Sequence, residues 1–141
     1  MKDFFCILIG AFSSIIASLF GGWDAAIQTL LIFMLIDYLT GMVVAGVFQK
    51  SRKTKSGALK SSESFKGLVK KCMMLVFVIV GVRLDILINT TYIRDGICIA
   101  CTVNELISII ENGGLMGVPI PKQLINAIDV LNSLDSGETQ R

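Results

Sequence analysis

Between Asn104 and Asn112 the chain reads Asn-Glu-Leu-Ile-Ser-Ile-Ile-Glu-Asn. At helical spacing Asn104, Ser108 and Glu111 share one stripe, and Glu105, Ser108 and Asn112 an overlapping one. Ile99, Val103, Leu106, Ile107 and Ile110 cover the rest of that helix. Two more apolar runs carry isolated charges: Ala25–Phe48 holds Asp37, followed by Thr40 and Gly41, and Cys72–Asn89 holds Arg83 and Asp85. A lone carboxylate at lipid depth costs about 2.5–3.5 kcal/mol on insertion scales. Such groups need a partner or water, so they mark helix–helix contacts or a polar path through a membrane.

Chemistry of other kinds has little to work with. The chain contains no His, no nucleophile elbow and no carboxylate pair in a recognisable catalytic context. Cys98 and Cys101 have CxxC spacing, but no second pair or His completes a tetrahedral site; on a helix they share a face as small apolar residues. Lys55-Ser56-Gly57 lacks the glycine context of a phosphate loop. No catalytic, cofactor or metal site is expected, and the chain does not read as an enzyme.

The elements that must position these residues are long and apolar. Of 141 residues, 53% are hydrophobic, with mean hydropathy +0.72, well above a soluble domain. A bilayer core needs roughly 20 apolar residues per helix. The first helix is expected near 4–22, with Gly10, Ser14 and Ser18 as a small-residue face. Gly21 and Gly22 turn the chain, and Trp23 with Asp24 marks an interface. The second apolar run follows at once, so a hairpin is expected rather than a removable signal peptide. The second helix spans 25–48, where Thr40 can bond back to the preceding turn and Gly41 with Ala45 permits close packing.

Eight of the 13 basic residues lie between Lys50 and Lys71, opposed only by Glu63. A nucleic-acid patch would have this composition; beside apolar spans, the positive-inside rule accounts for it more simply. Loop 49–63 is then cytoplasmic, and Lys66, Lys70 and Lys71 sit at the membrane surface, attracted to anionic lipid. A third helix is expected at 64–89. Asp37 is 11 residues from Phe48 and Arg83 is 11 from Cys72, roughly 16 Å in each case. Equal depth predicts an Asp37–Arg83 pair, the alternative being Arg83 with Asp85 or Glu105.

Asn89–Tyr92 and Arg94-Asp95 read as an outside turn. The fourth segment, 96–112, is marginal: seven apolar residues contribute about −3.5 kcal/mol and Glu105 alone costs about +3. It must dock on other helices or copies, line water, or lie at the surface. Gly113-Gly114 ends it. Gly117, Pro119 and Pro121 form a stiff joint, followed by an amphipathic helix to about Leu134 with Leu124, Ile125, Ile128 and Leu131 on its apolar face. The tail Asp135–Arg141 is expected to be disordered. The fold class is therefore all-α: an integral membrane bundle of four transmembrane helices, three being possible, plus a C-terminal amphipathic helix. Residues 1–113 form the membrane domain and 114–141 the joint, last helix and tail.

Several of these pieces together resemble a bacteriophage holin family that includes clostridial toxin-secretion holins. They are Asp37-x-x-Thr40-Gly41, Gly67-Leu68-Val69-Lys70-Lys71, Asn104-Glu105-x-x-Ser108-Ile109-x-Glu111-Asn112 and Gly117-x-Pro119-x-Pro121-Lys122. The similarity covers about residues 30–131. Two departures are visible: residues 129–141 carry Asp129, Asp135 and Glu138 against Arg141 where many members have a strongly basic tail, and the next Met after Met1 is Met34. The resemblance implies a homo-oligomer in the bacterial cytoplasmic membrane that opens lesions and releases an endolysin or a signal-less toxin. Lipid is then the surrounding partner, no direct contact with the released protein is implied, and no nucleic acid is involved. Without the resemblance, the polar residues would equally serve to glue one bundle together. A small ion or proton channel, a transporter subunit and a non-porating regulator of the antiholin kind are the alternatives.

Overall fold

The computed structural model describes residues 1–135, and these form five helices: α1 Lys2–Leu19, α2 Ala25–Gly46, α3 Ser61–Ile88, α4 Ile93–Leu115 and α5 Lys122–Asp135. Among the described residues there is no strand. The expectation for the tail beyond Asp135 lies outside the described residues.

α2, α3 and α4 form the bundle. α4 lies along both α2 and α3, whereas α2 and α3 scarcely touch each other, and α5 packs back on α4. Each of the three helices contributes one stripe at steps of three and four. These are Ile27, Leu30, Met34 and Asp37 on α2, with Val44 two turns further on; Val78, Val82 and Asp85 on α3; and Arg94, Cys98, Cys101 and Glu105 on α4. Ile27, Leu30, Met34, Val78, Cys98 and Cys101 make one apolar core, flanked by Phe20, Met74, Leu75 and Ile97. The cysteines are free and buried there as apolar fillers.

α1 buries no residue, although its side chains are apolar all round. Large apolar side chains are also exposed along α2 and α3, including Ile32, Leu35, Leu39, Phe77, Val80 and Leu84. So continuous an apolar exterior calls for lipid or protein cover. By length and composition two helices are fit to cross a membrane: α1 with hydropathy 1.7 and α2 with hydropathy 1.9. The four-span bundle expected from the sequence therefore stands, at this level, as an all-helical chain with two apolar candidate spans. α3 is less uniformly apolar, carrying Lys71, Arg83 and Asp85, and so is α4, with Arg94, Asp95, Glu105 and Glu111.

The turns are local chemistry. Gly21 (φ +77°) and Gly22 (φ +113°) close the α1–α2 hairpin in backbone conformations that favour glycine. Asp24 caps α2, its Oδ1 accepting from the Ile27 amide at 3.1 Å. Asn89 ends α3 in the left-handed conformation. The helix limits differ from the sequence expectation by up to three residues: α1 spans Lys2–Leu19 rather than 4–22, and α2 stops at Gly46 rather than Phe48. α3 starts at Ser61 rather than Ser64. α4 starts at Ile93, which puts Arg94 and Asp95 in its first turn rather than in a loop. It then runs through Gly113-Gly114 to Leu115, with the break falling at Gly117 (φ +80°).

Candidate functional site

Two charged layers close the apolar core at its two ends. The outer layer is built on Arg94, which is 6% exposed. Its guanidinium donates to both Asp24 carboxylate oxygens at 2.6 and 2.9 Å, to Asp95 Oδ1 at 2.8 Å and to the Phe20 carbonyl at 2.9 Å. This ties the α1–α2 hairpin to the start of α4 with the fork geometry that Arg alone offers. The same guanidinium holds the Asp24 carboxyl below the usual carboxylate range. Asp85 completes the layer. Its carboxylate accepts from Thr90 Oγ1 at 2.6 Å and from the amides of Ile93 and Arg94 at 3.1 and 2.9 Å. A side chain near the end of α3 thus caps the free amides of α4.

The inner layer lies 13 residues down α2 from Asp24, roughly 20 Å away. Lys71 Nζ on α3 donates to Asp37 Oδ2 on α2 at 2.7 Å and also to Glu105 Oε2 on α4. Asn112, two turns further along α4, donates through Nδ2 to Asp37 Oδ1 at 3.0 Å and to Thr40 Oγ1 at 2.9 Å. The Thr40 hydroxyl in turn donates to the Ile36 carbonyl at 2.8 Å. Gly41 faces the same amide. Asp37 and Glu105 are 6% and 2% exposed. The Asn112 amide also donates to the Asp37 carbonyl at 3.3 Å, and the layer joins all three bundle helices.

A cleft of about 200 Å³ reaches the layer from the side of the 49–60 loop, between the splayed ends of α2 and α3. Asp37, Lys71 and Glu105 line it together with Lys53 and Lys60 of the loop and Lys70 of α3. Asn104 and Ser108 also line it.

The structure thus brings together Asp37, Thr40, Gly41, Glu105 and Asn112 from the residues singled out by sequence, with Ser108 at the cleft. Asn104 and Glu111 are exposed. Three expectations are corrected. Arg83 is exposed on the other face of α3 and forms no ion pair among the described residues. The cation beside Asp37 is Lys71, because only Lys71 shares the face of Met74, Val78 and Val82. Lys71 is therefore not a membrane-surface lysine, whereas Lys70 is exposed and Lys66 pairs with Glu63 at 2.8 Å. Asp85 is a helix cap rather than a partner of Arg83. Arg94 and Asp24, which the sequence reading placed in turns, are the ion pair on which the outer layer is built. Gly117 and Pro119 are exposed in the joint before α5, and Pro121 precedes that helix, its carbonyl accepting from the Leu124 amide at 3.1 Å.

An apolar-sheathed helical bundle with charge stored between its helices defines a class of membrane protein, and the comparisons name the family. The model of the bacteriophage holin family matches residues 14–133, and the chain belongs to that family. It is 39% identical over 117 residues to an uncharacterized 14.9 kDa protein of the nagH 3′ region in Clostridium perfringens, covering 82% of this chain and 83% of the relative. An uncharacterized protein of Listeria innocua is 32% identical over 133 residues, 92% of this chain and 88% of the relative. A probable holin of Bacillus phage phi105 is 27% identical over 120 residues, 82% and 80% of the two chains. No solved structure matches the chain. The matched region begins at residue 14 and so takes in the whole α2–α4 bundle and both charged layers, with only the end of α1. The holin family is not a family of enzymes.

Proposed function

We propose that this chain is a holin that assembles with copies of itself in the bacterial cytoplasmic membrane and opens lesions through which an endolysin, or a toxin lacking a signal sequence, leaves the cell. In this reading α1 to α4 all cross the bilayer. α3 and α4 are too charged to insert comfortably alone, but Lys71 pairs with Asp37 and Glu105, and Arg94 with Asp24, once the three helices pack. The basic loop faces the cytoplasm by the positive-inside rule, which places both chain ends and α5 on the same side. Lipid is the solvent of the outer surface.

The observation that carries this proposal is the inner layer, where Asp37, Lys71, Glu105 and Asn112 satisfy one another between three helices whose outer faces are apolar. Such a bundle has two ways to satisfy these groups: against each other when closed, or against water when neighbouring copies rearrange and the helices part. The closed form is stable as one unit and the open form is a wet wall, a two-state element of the kind that switches abruptly. The test is to induce the chain in bacteria and follow potassium loss together with release of a large cytosolic reporter. Abrupt release of both is expected. Potassium loss without the reporter would make the chain a channel, and retention of both a regulator or scaffold.

A further inference from the structure

The inner layer has an unbalanced charge. Two carboxylates, on α2 and α4, meet one ammonium from α3, and all three are withdrawn from solvent, with side-chain exposures of 7%, 3% and 12%. The other partner of these carboxylates among the described residues is neutral: the Asn112 amide, which donates to Asp37 Oδ1 and is itself held by the Thr40 hydroxyl. Both carboxyl groups bond the same nitrogen, so their oxygens lie within two hydrogen-bond lengths, roughly 6 Å. Ionising both would bury one uncompensated negative charge beside a second carboxylate. Burial of an unpaired charge costs several kcal/mol, and like charges at this spacing do not both ionise readily. Lys70, Lys60 and Lys53 also line the cleft but make no ion pair with either acid. Glu63 on α3 pairs with Lys66, and Tyr38 adds only a phenol.

We propose that Asp37 and Glu105 form a single proton-binding site: the closed bundle holds one proton between the two carboxyl groups, so that Lys71 faces one net negative charge. The proton comes from water in the 200 Å³ cleft on the basic-loop side, which has room for several waters at about 30 Å³ each. Uptake converts one carboxylate to a carboxylic acid whose O–H donates within the cluster, and no other group changes charge. The site does not depend on whether the assembly forms lesions, so it survives or fails separately from the holin proposal.

Infrared spectroscopy of the full chain in lipid vesicles at neutral pH tests it. The carboxylic-acid C=O band of about one group per chain is expected. It should shift when Glu or Asp side chains carry ¹³C at the carboxyl, which assigns it in the unaltered protein. Asp37→Asn and Glu105→Gln should each abolish the band, because the remaining acid then has Lys71 to itself and ionises. Absence of the band in the unaltered, helical protein overturns the proposal, whether the charge is left bare or matched by a metal cation. A band that survives either single substitution also overturns it, since the proton would then belong to one buried acid and not to the pair.

Discussion

Lys71 stands 34 residues after Asp37 and 34 before Glu105, and its ammonium bonds both. α2, α3 and α4 thus each give one charged side chain to a single contact, with the cation on the middle helix in sequence. α2 and α3 hardly touch directly, so at this level the lysine is what connects them.

Removing that connection should be costly. Lys71→Met leaves two carboxyl groups facing each other in an apolar bundle, and a broken buried pair typically costs 3–5 kcal/mol. Arg83→Gln, on the exposed face of the same helix, should change stability by less than about 0.5 kcal/mol. Thermal unfolding of the detergent-purified chain, followed by helicity, compares them. Equal losses for the two variants would return Arg83 to the role the sequence reading gave it.

That misassignment shows what was legible and what was not. Depth along the helices was readable by counting, and it brought Asp37 and Arg83 to the same level. Rotation was also encoded: Lys71, Met74, Val78, Val82 and Asp85 recur at steps of three and four, and Arg83 falls off that stripe. The basic neighbours of Lys71 hid it, because a lysine beside Lys70 at the end of a charged loop looks like a surface group. Asp37, Glu105 and Asn112 stood out because each interrupts an apolar run. Arg94 did not, since nothing near it in sequence separates a loop arginine from one whose partner is 70 residues earlier. The handover of Asp85 to the amides of α4 depends on where α3 stops, and helix ends are the least readable feature of a sequence.

Asn112 should matter through one side chain's geometry. Its amide donates to Asp37 and to Thr40 at once, fixing the rotation of α4 against α2. Asn112→Leu removes both donors at nearly constant size and strands an acceptor, an effect of about 1–3 kcal/mol. Asn112→Asp should be worse, adding a third acid beside Asp37. Under the holin proposal both variants lyse earlier than the parent when induced at equal level, because the closed bundle is weaker. Lysis time and membrane-fraction abundance are the measurements.

The outer layer should give the chain an acid limb. Arg94 lowers the Asp24 carboxyl, so Asp24 binds protons less readily folded than unfolded. Its contribution is complete above the unfolded value of about 3.9 and disappears as pH falls through the lower, folded value. Asp24→Asn keeps a good N-cap for α2 but loses the charge. The difference in melting temperature between parent and variant should hold steady above about pH 4 and shrink as pH is taken progressively lower. A difference that stays constant as the acid limb is descended would mean that Asp24 acts only as a cap.

Gly81 gives the last prediction, on how closely α3 and α4 approach. A Cβ there would lie 2.7 Å from Ile97 Cδ1 and 3.0 Å from Arg94 Cα. The Ile97 methyl can rotate away, but the Arg94 backbone cannot move without disturbing the Asp85 cap and the Asp24 pair. Alanine gains up to about 1 kcal/mol in helix propensity over glycine, while overpacking costs typically 1–3 kcal/mol. The second effect wins, so Gly81→Ala should destabilise the bundle and Gly81→Val more so. Gly67, on the same helix, has nothing within 4 Å of a built Cβ. Gly67→Ala should therefore keep the propensity gain and melt at or above the parent temperature. If the two alanine variants melt alike, close approach of α3 and α4 at Gly81 is refuted.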